Sequence, residues 1–103
     1  MENFIYPAKI TPDKLEGGFI VTFPDFPEAI TLGENIKDAL HEAADCLEEV
    51  VANRIAMELS VPFPSLIKKK EHPIPLSAEM SAKVTLNLAI NEEEGTKVGL
   101  SHN

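Results

Sequence analysis

The chain is poor in the groups from which covalent and metal chemistry is usually assembled. Its 103 residues include one cysteine, Cys46, and no tryptophan. A lone cysteine excludes an intramolecular disulfide and a thiolate metal cluster, and it fits a reducing compartment, so the cytoplasm is the expected location. No run approaches the roughly 20 apolar residues of a membrane span, and Met1-Glu2-Asn3 does not open like a secretory leader, so no membrane partner is expected. Basic residues are scarce too: nine Lys and Arg face seventeen Asp and Glu, a net charge of −8. That balance argues against a surface that grips nucleic acid or anionic membrane as a whole and points to a basic partner. Eight prolines and five glycines are scattered rather than clustered, and 44% of residues are hydrophobic, which excludes collagen-like and low-complexity classes and leaves one compact unit.

What is present reads as α+β. Phe4–Ile10 alternates with Phe4, Tyr6, Ala8 and Ile10 on one face, the period of a strand, and Pro7, which has no N–H, should face an edge or a bulge. Thr11 to Gly18 is turn chemistry leading into a hairpin. Phe19–Phe23 alternates again, Pro24 ends it, and Ala29–Leu32 makes a short third strand closed by Gly33, giving a three-stranded antiparallel meander. Asn35 is placed to cap a helix, with Asp38 at its third position. Ile36, Leu40, Ala43, Leu47, Val51 and Ile55 recur at spacings of three and four, with Lys37, Asp38, Glu42, Asp45, Glu48 and Glu49 opposite. A helix from Asn35 to about Glu58 would be about 35 Å long, enough to cover one face of a small sheet.

Beyond the helix, Ser60–Ser65 cannot be helical because of its prolines, and His72–Leu76 is an extended segment able to add an edge strand. The boundary falls between a sheet-and-helix unit, 1–76, and a tail, 77–103. Residues 1–60 hold 4 basic and 12 acidic side chains and residues 61–103 hold five of each, so the net negative charge belongs to the first part. In the tail, Ser77–Lys83 begins like a capped helix, whereas Val84–Asn91 alternates with strand period; helix is the preferred reading.

Tyr6-Pro7-Ala8, the string from Glu16 through Gly17-Gly18, Phe19–Phe23, Pro24-Asp25-Phe26-Pro27 and Ala29, then Thr31-Leu32-Gly33-Glu34-Asn35 and Asp38-Ala39, resemble the HicB-type antitoxins. The match runs from residue 4 to 76, and the string Gly17–Gly33 is its most specific part. The resemblance implies a β-β-β-α-β arrangement of partial ribonuclease H-like fold. It also implies a protein that neutralises a small basic mRNA-cleaving toxin, HicA, and in many members a C-terminal module that binds operator DNA and represses the operon. The tail looks like the linker and first helix of such a module. It would offer Lys83 and Lys97 to DNA, but it ends before a recognition helix, which needs a scaffold helix and a turn before it, would be complete.

No catalytic, cofactor or metal site is expected. A metal-dependent nuclease would need several carboxylates converging from the sheet, yet Phe4–Ile10 and Phe19–Phe23 contain none. His41, His72 and His102 have no ligand spacing with one another or with Cys46, which reads as a packed small hydrophobe. Lys68-Lys69-Lys70 lacks interleaved aromatics and reads as linker solubility. The residues expected to meet the toxin's cations are Asp25 and Glu28 in the proline-bounded loop and Asp38, Glu42 and Asp45 on the polar helix face, which otherwise form a solvated acidic surface. Open strand edges favour a homodimer. The alternative is a stand-alone regulator or oligomeric binding module of the same family without a toxin.

Overall fold

The computed structural model describes residues 4–101, with side chains described through residue 90. The elements are β1 (Ile5–Pro12), β2 (Phe19–Phe23), β3 (Phe26–Gly33), α1 (Ile36–Ala56), β4 (His72–Pro75) and α2 (Ala78–Ser101). The strands form one antiparallel sheet in the order β3-β2-β1-β4.

The β1–β2 turn is closed by Asp13. Its Oδ1 accepts from the Leu15 and Glu16 amides at 3.0 and 3.1 Å, and its backbone exchanges bonds with Gly17 and Gly18. Both glycines have φ near +80°, the left-handed region where a Cβ is costly. β1 is shared between neighbours: Ile5–Ala8 pairs with β4 and Lys9–Pro12 with β2. Pro7 sits in the half that pairs with β4, opposite Pro73, so two missing donors face each other.

The third strand is longer than its alternation indicates, beginning at Phe26 rather than Ala29. A bulge beside Thr22/Phe23 breaks the two-residue period, so both Phe26 and Ala29 are buried, and Pro27 is tolerated because β3 is an edge. Alternation alone therefore hides the first three residues.

α1 starts where the capping chemistry places it. Asn35 Oδ1 accepts from the Asp38 amide and Asp38 Oδ2 accepts from the Glu34 amide, each at 2.8 Å. This reciprocal pair satisfies two otherwise orphaned donors at the helix start, and caps of this kind are worth about 1 kcal/mol. The buried stripe is Ala39, Ala43, Leu47 and Val51, while Ile36, expected to be buried, is 41% exposed. The reason is close approach: α1 crosses β3 at Gly33, and only the small Ala39 fits there. The helix ends at Ala56 in a Schellman pattern, with Leu59 N–H donating to Arg54 O at 2.8 Å and Glu58 N–H to Ile55 O at 3.1 Å. Glu58 holds the left-handed position at φ 58°. Glu58→Gly is accordingly expected to raise unfolding free energy by roughly 0.5–1 kcal/mol, measured by denaturant titration; a neutral or destabilising result would contradict the assignment.

The segment from α1 to β4 is a strap tied down along its length. Val61 is buried, Tyr6 Oη donates to Pro62 O at 2.8 Å, Arg54 Nη1 donates to Ser60 O at 3.0 Å, and the Phe63 ring lies 6.3 Å from that of Phe4. The tail is helical, as preferred from its start. Ser77 Oγ accepts from the Met80 amide, and Val84 is fully buried, with Met80 and Leu88 packed against the core. One face of the sheet is covered by α1, with Tyr6, Ala8, Val21, Phe23, Phe26 and Ala29 in the core between them.

Candidate functional site

The acidic residues expected to form one contact surface divide into two groups when their partners are traced. Asp25, in the β2–β3 turn, accepts from both the Ser65 amide and the Ser65 hydroxyl, pinning the strap to the sheet. Glu28 accepts from Arg54 Nε at 2.6 Å and Nη2 at 2.9 Å, a fork that ties the start of β3 to the end of α1. The guanidinium holds the Glu28 carboxyl below its usual range. The same guanidinium carbon stands 5.1 Å above the Phe26 ring. Asp38 belongs to the helix cap. These three carboxylates therefore organise the fold, and Glu48, which accepts from the Ser77 amide and hydroxyl, does the same for the start of α2.

Glu42 and Asp45 are different. Glu42 is half-buried on α1, and Asp45 is exposed, with the exposed His41 imidazole 3.6 Å away. The exposed Glu49 continues this surface one turn on. Cys46 lies between Glu42 and Glu49, and burial first, then those two charges, push its thiol up. A raised pKa disfavours the nucleophilic thiolate, consistent with a packing role.

Three acids that the sequence does not mark as contacts, Asp13, Glu16 and Glu34, gather around the already named Asp38. Asp13, Glu16, Glu34 and Asp38 rim an open groove of about 470 Å³ whose floor is Gly17, Gly18, Leu32 and Gly33. The signal that finds it is register: Phe19 pairs with Gly33, which brings the β1–β2 turn beside the β3–α1 junction. Sequence distance conceals that neighbourhood. The lysines behave otherwise. Lys68, Lys69 and Lys70 share a second groove with Lys9, while Lys83 lies apart on α2, beside Ile55 and Met80. Lys97 falls outside the residues whose side chains are described.

Among the described residues, no three His, Cys, Asp or Glu side chains are placed to share a metal ion, and no helix is long and apolar enough to cross a membrane. What the arrangement presents is an acidic surface, carried by α1 and by the groove at the end of β3.

Comparison with known proteins supplies the family. Residues 5–85 match the family described as HicB-like antitoxin of bacterial toxin-antitoxin systems. The chain is 33% identical over 96 residues to Antitoxin HicB of Escherichia coli K12, covering 93% of this chain and 69% of that protein. It is 30% identical over 102 residues to Antitoxin HicB 1 of Photorhabdus laumondii, covering 99% of this chain and 64% of the relative. Antitoxin HicB 2 of the same organism is 36% identical over 85 residues, 82% of this chain and 58% of the relative. With the meander, the covering helix, the edge strand and the match along most of its length, the chain belongs to the HicB-like antitoxin family of bacterial toxin–antitoxin systems.

Proposed function

We propose that this chain is a non-catalytic antitoxin whose acidic surface captures a small basic, HicA-like, mRNA-cleaving toxin and blocks access of RNA to it. The observation that carries the reading is the charge distribution: 12 acidic against 4 basic residues in 1–60. Several of those carboxylates, among them the exposed Asp45 and Glu49 and the half-buried Glu42, are not the ones taken by the caps, the strap and the Arg54 pair. Opposite charge speeds encounter and orients the partners, and its effect is screened by salt. Asp25, Glu28 and Asp38 contribute by holding the fold in shape.

Co-expression with a small Lys/Arg-rich, HicA-like protein is the test. A stable complex is expected, with RNA cleavage by the partner suppressed and affinity falling as salt rises. Absence of any complex at low salt would overturn the reading. In this proposal residues 1–76 hold the toxin and 77–103 serve self-association and operator contact in the cytoplasm. The apolar Leu86 and Ile90, 61% and 46% exposed on α2, favour a homodimer built through the tail. A stand-alone regulator remains the second reading, favoured by that same α2 surface and separated by whether a toxin reading frame adjoins the gene.

A further inference from the structure

The two edges of the sheet are unequal. β4 is four residues long and carries Pro73 and Pro75, so it is short and lacks donors, two of the devices by which proteins blunt an open edge. β3 has neither protection beyond its start. From Ala29 to Gly33 it contains no proline, no charge and no lysine, and its register with β2 is regular there. Among the described residues, no backbone hydrogen bond other than those to β2 engages it. Ile30 and Leu32, on the sheet face that α1 does not cover, are each 61% exposed.

The unpaired charges around this edge are mainly acidic, since Arg54, at its start, is engaged by Glu28. α1 lies over β3, running from Ala39 above Gly33 to Arg54 beside Glu28. Residues advance about 100° per step around a helix, so Glu42 and Glu49 share a flank with Cys46, well away from Glu48, which is turned towards Ser77 and α2. That flank is on the outer side of α1, turned away from α2. Glu34 and the groove it shares with Asp13 and Glu16 lie at the far end of the same strand. A neutral edge with free backbone groups thus has carboxylates at its end, and the helix that packs over the strand carries more on its outer flank.

We propose that β3 is the strand to which the toxin adds: an extended basic segment of the toxin pairs with Ala29–Gly33, rests apolar side chains on Ile30 and Leu32, and sets its lysines and arginines against Glu42, Glu49 and Glu34. Main-chain bonds along an edge supply affinity and flanking side chains supply selectivity in this mode of recognition. A second copy of this chain is disfavoured as the occupant. It would bring a matching set of carboxylates, and a further −8, against the same border. The proposal rests on the antitoxin reading and locates its contact.

The experiment uses the full chain with its co-expressed basic partner, comparing backbone amide exchange with and without that partner and titrating variants. Protection is expected to appear across Ala29–Gly33 on complex formation. The pair Ile30→Lys and Leu32→Lys is expected to weaken capture at least about tenfold, since lysine at an edge strand opposes pairing and here also repels a basic segment. The pair Glu42→Lys and Glu49→Lys is expected to weaken it similarly and flatten its salt dependence, and Leu66→Lys, exposed on the strap, is expected to change nothing. Circular dichroism verifies that each variant is folded. Complex formation with protection elsewhere and unimpaired binding by the Ile30/Leu32 variant would overturn the docking site while leaving the antitoxin reading intact. Protection of Ala29–Gly33 that rises with this chain's own concentration, without the partner, would assign the edge to a second copy and overturn it as well. No complex with the unmodified chain would remove the antitoxin reading itself.

Discussion

Gly33→Ala is expected to destabilise the protein by about 3 kcal/mol, a large effect for the addition of one methyl group. Gly33 is buried at the end of β3, where α1 passes over the sheet, and a Cβ there would lie 2.4 Å from both the Cα and the backbone N of Ala39 and 2.7 Å from its Cβ. The obstacle is helix backbone, which cannot swing aside as a side-chain tip would. Relief requires α1 to lift from β3, loosening Ala43 and Leu47 along the same line. Gly17→Ala supplies the contrast, since a Cβ at that position meets nothing within 4 Å and only the φ of +82° is unfavourable. It is expected to lose about 1 kcal/mol. Denaturant unfolding of the three proteins checks this; a Gly33→Ala loss no greater than that of Gly17→Ala would show that the helix seats on β3 less tightly than described.

That contact explains what could and could not be read from the sequence. Gly33 looks like a strand stop, because glycine in an alternating run usually marks a turn, whereas its structural task is to admit Ala39. The apolar spacing of α1 is correct in period and, from Leu40 onward, in phase, and it errs at Ile36. Hydrophobicity weights Ile36 above Ala39, yet the space above Gly33 accepts only the smaller residue, and such steric detail has no signature in a one-dimensional pattern. The β1–β2 hairpin and the helix cap were legible because Asp13, Gly17, Gly18, Asn35 and Asp38 act on backbone groups within a few residues of themselves. The tail was ambiguous for a definite reason. Val84, Leu86, Leu88 and Ile90 satisfy a period of two, and Met80, Val84 and Leu88 satisfy a helical one. Packing of Met80, Val84 and Leu88 against the core, which sequence does not display, decides between them.

The candidate surface was legible in sign but not in detail. Counting charge placed the acidity in the first 60 residues, yet Asp25, Glu28 and Asp38 look like Glu42 and Asp45 until the partners of each are known. Arg54 reaches Glu28 across 26 residues and Ser65 reaches Asp25 across 40. Nothing in local spacing announces either bond. The carboxylates left for a partner are those that the fold has not already engaged.

Tyr6 joins the sheet, the loop and the strap at one point, and its removal is the other large expected effect. The side chain is fully buried, its ring meets Phe26 edge-on with centroids 4.9 Å apart, and its hydroxyl donates to Pro62 O at 2.8 Å. Tyr6→Ala is expected to cost about 3–5 kcal/mol, because the cavity is walled by sheet and helix and cannot collapse. Tyr6→Phe keeps the ring and loses only the bond to Pro62, for about 1 kcal/mol. The hydroxyl also predicts a pH dependence. Burial, reinforced by the Asp25 charge and opposed by Arg54, pushes the Tyr6 phenol up to about 12 from 10.0. A group whose pKa is raised by folding keeps its full contribution below the unfolded value, so stability should hold to about pH 10 and then fall towards pH 12, by at most about 1.4 kcal/mol per pH unit. Tyr6→Phe should lack that component, which separates it from lysine titration in the same range. Because Tyr6 is the sole tyrosine and there is no tryptophan, the ionisation can be followed directly by ultraviolet absorbance. A phenol titrating at its ordinary value in the folded chain, or a Tyr6→Phe protein with an unchanged alkaline profile, would show that the hydroxyl does not anchor the strap.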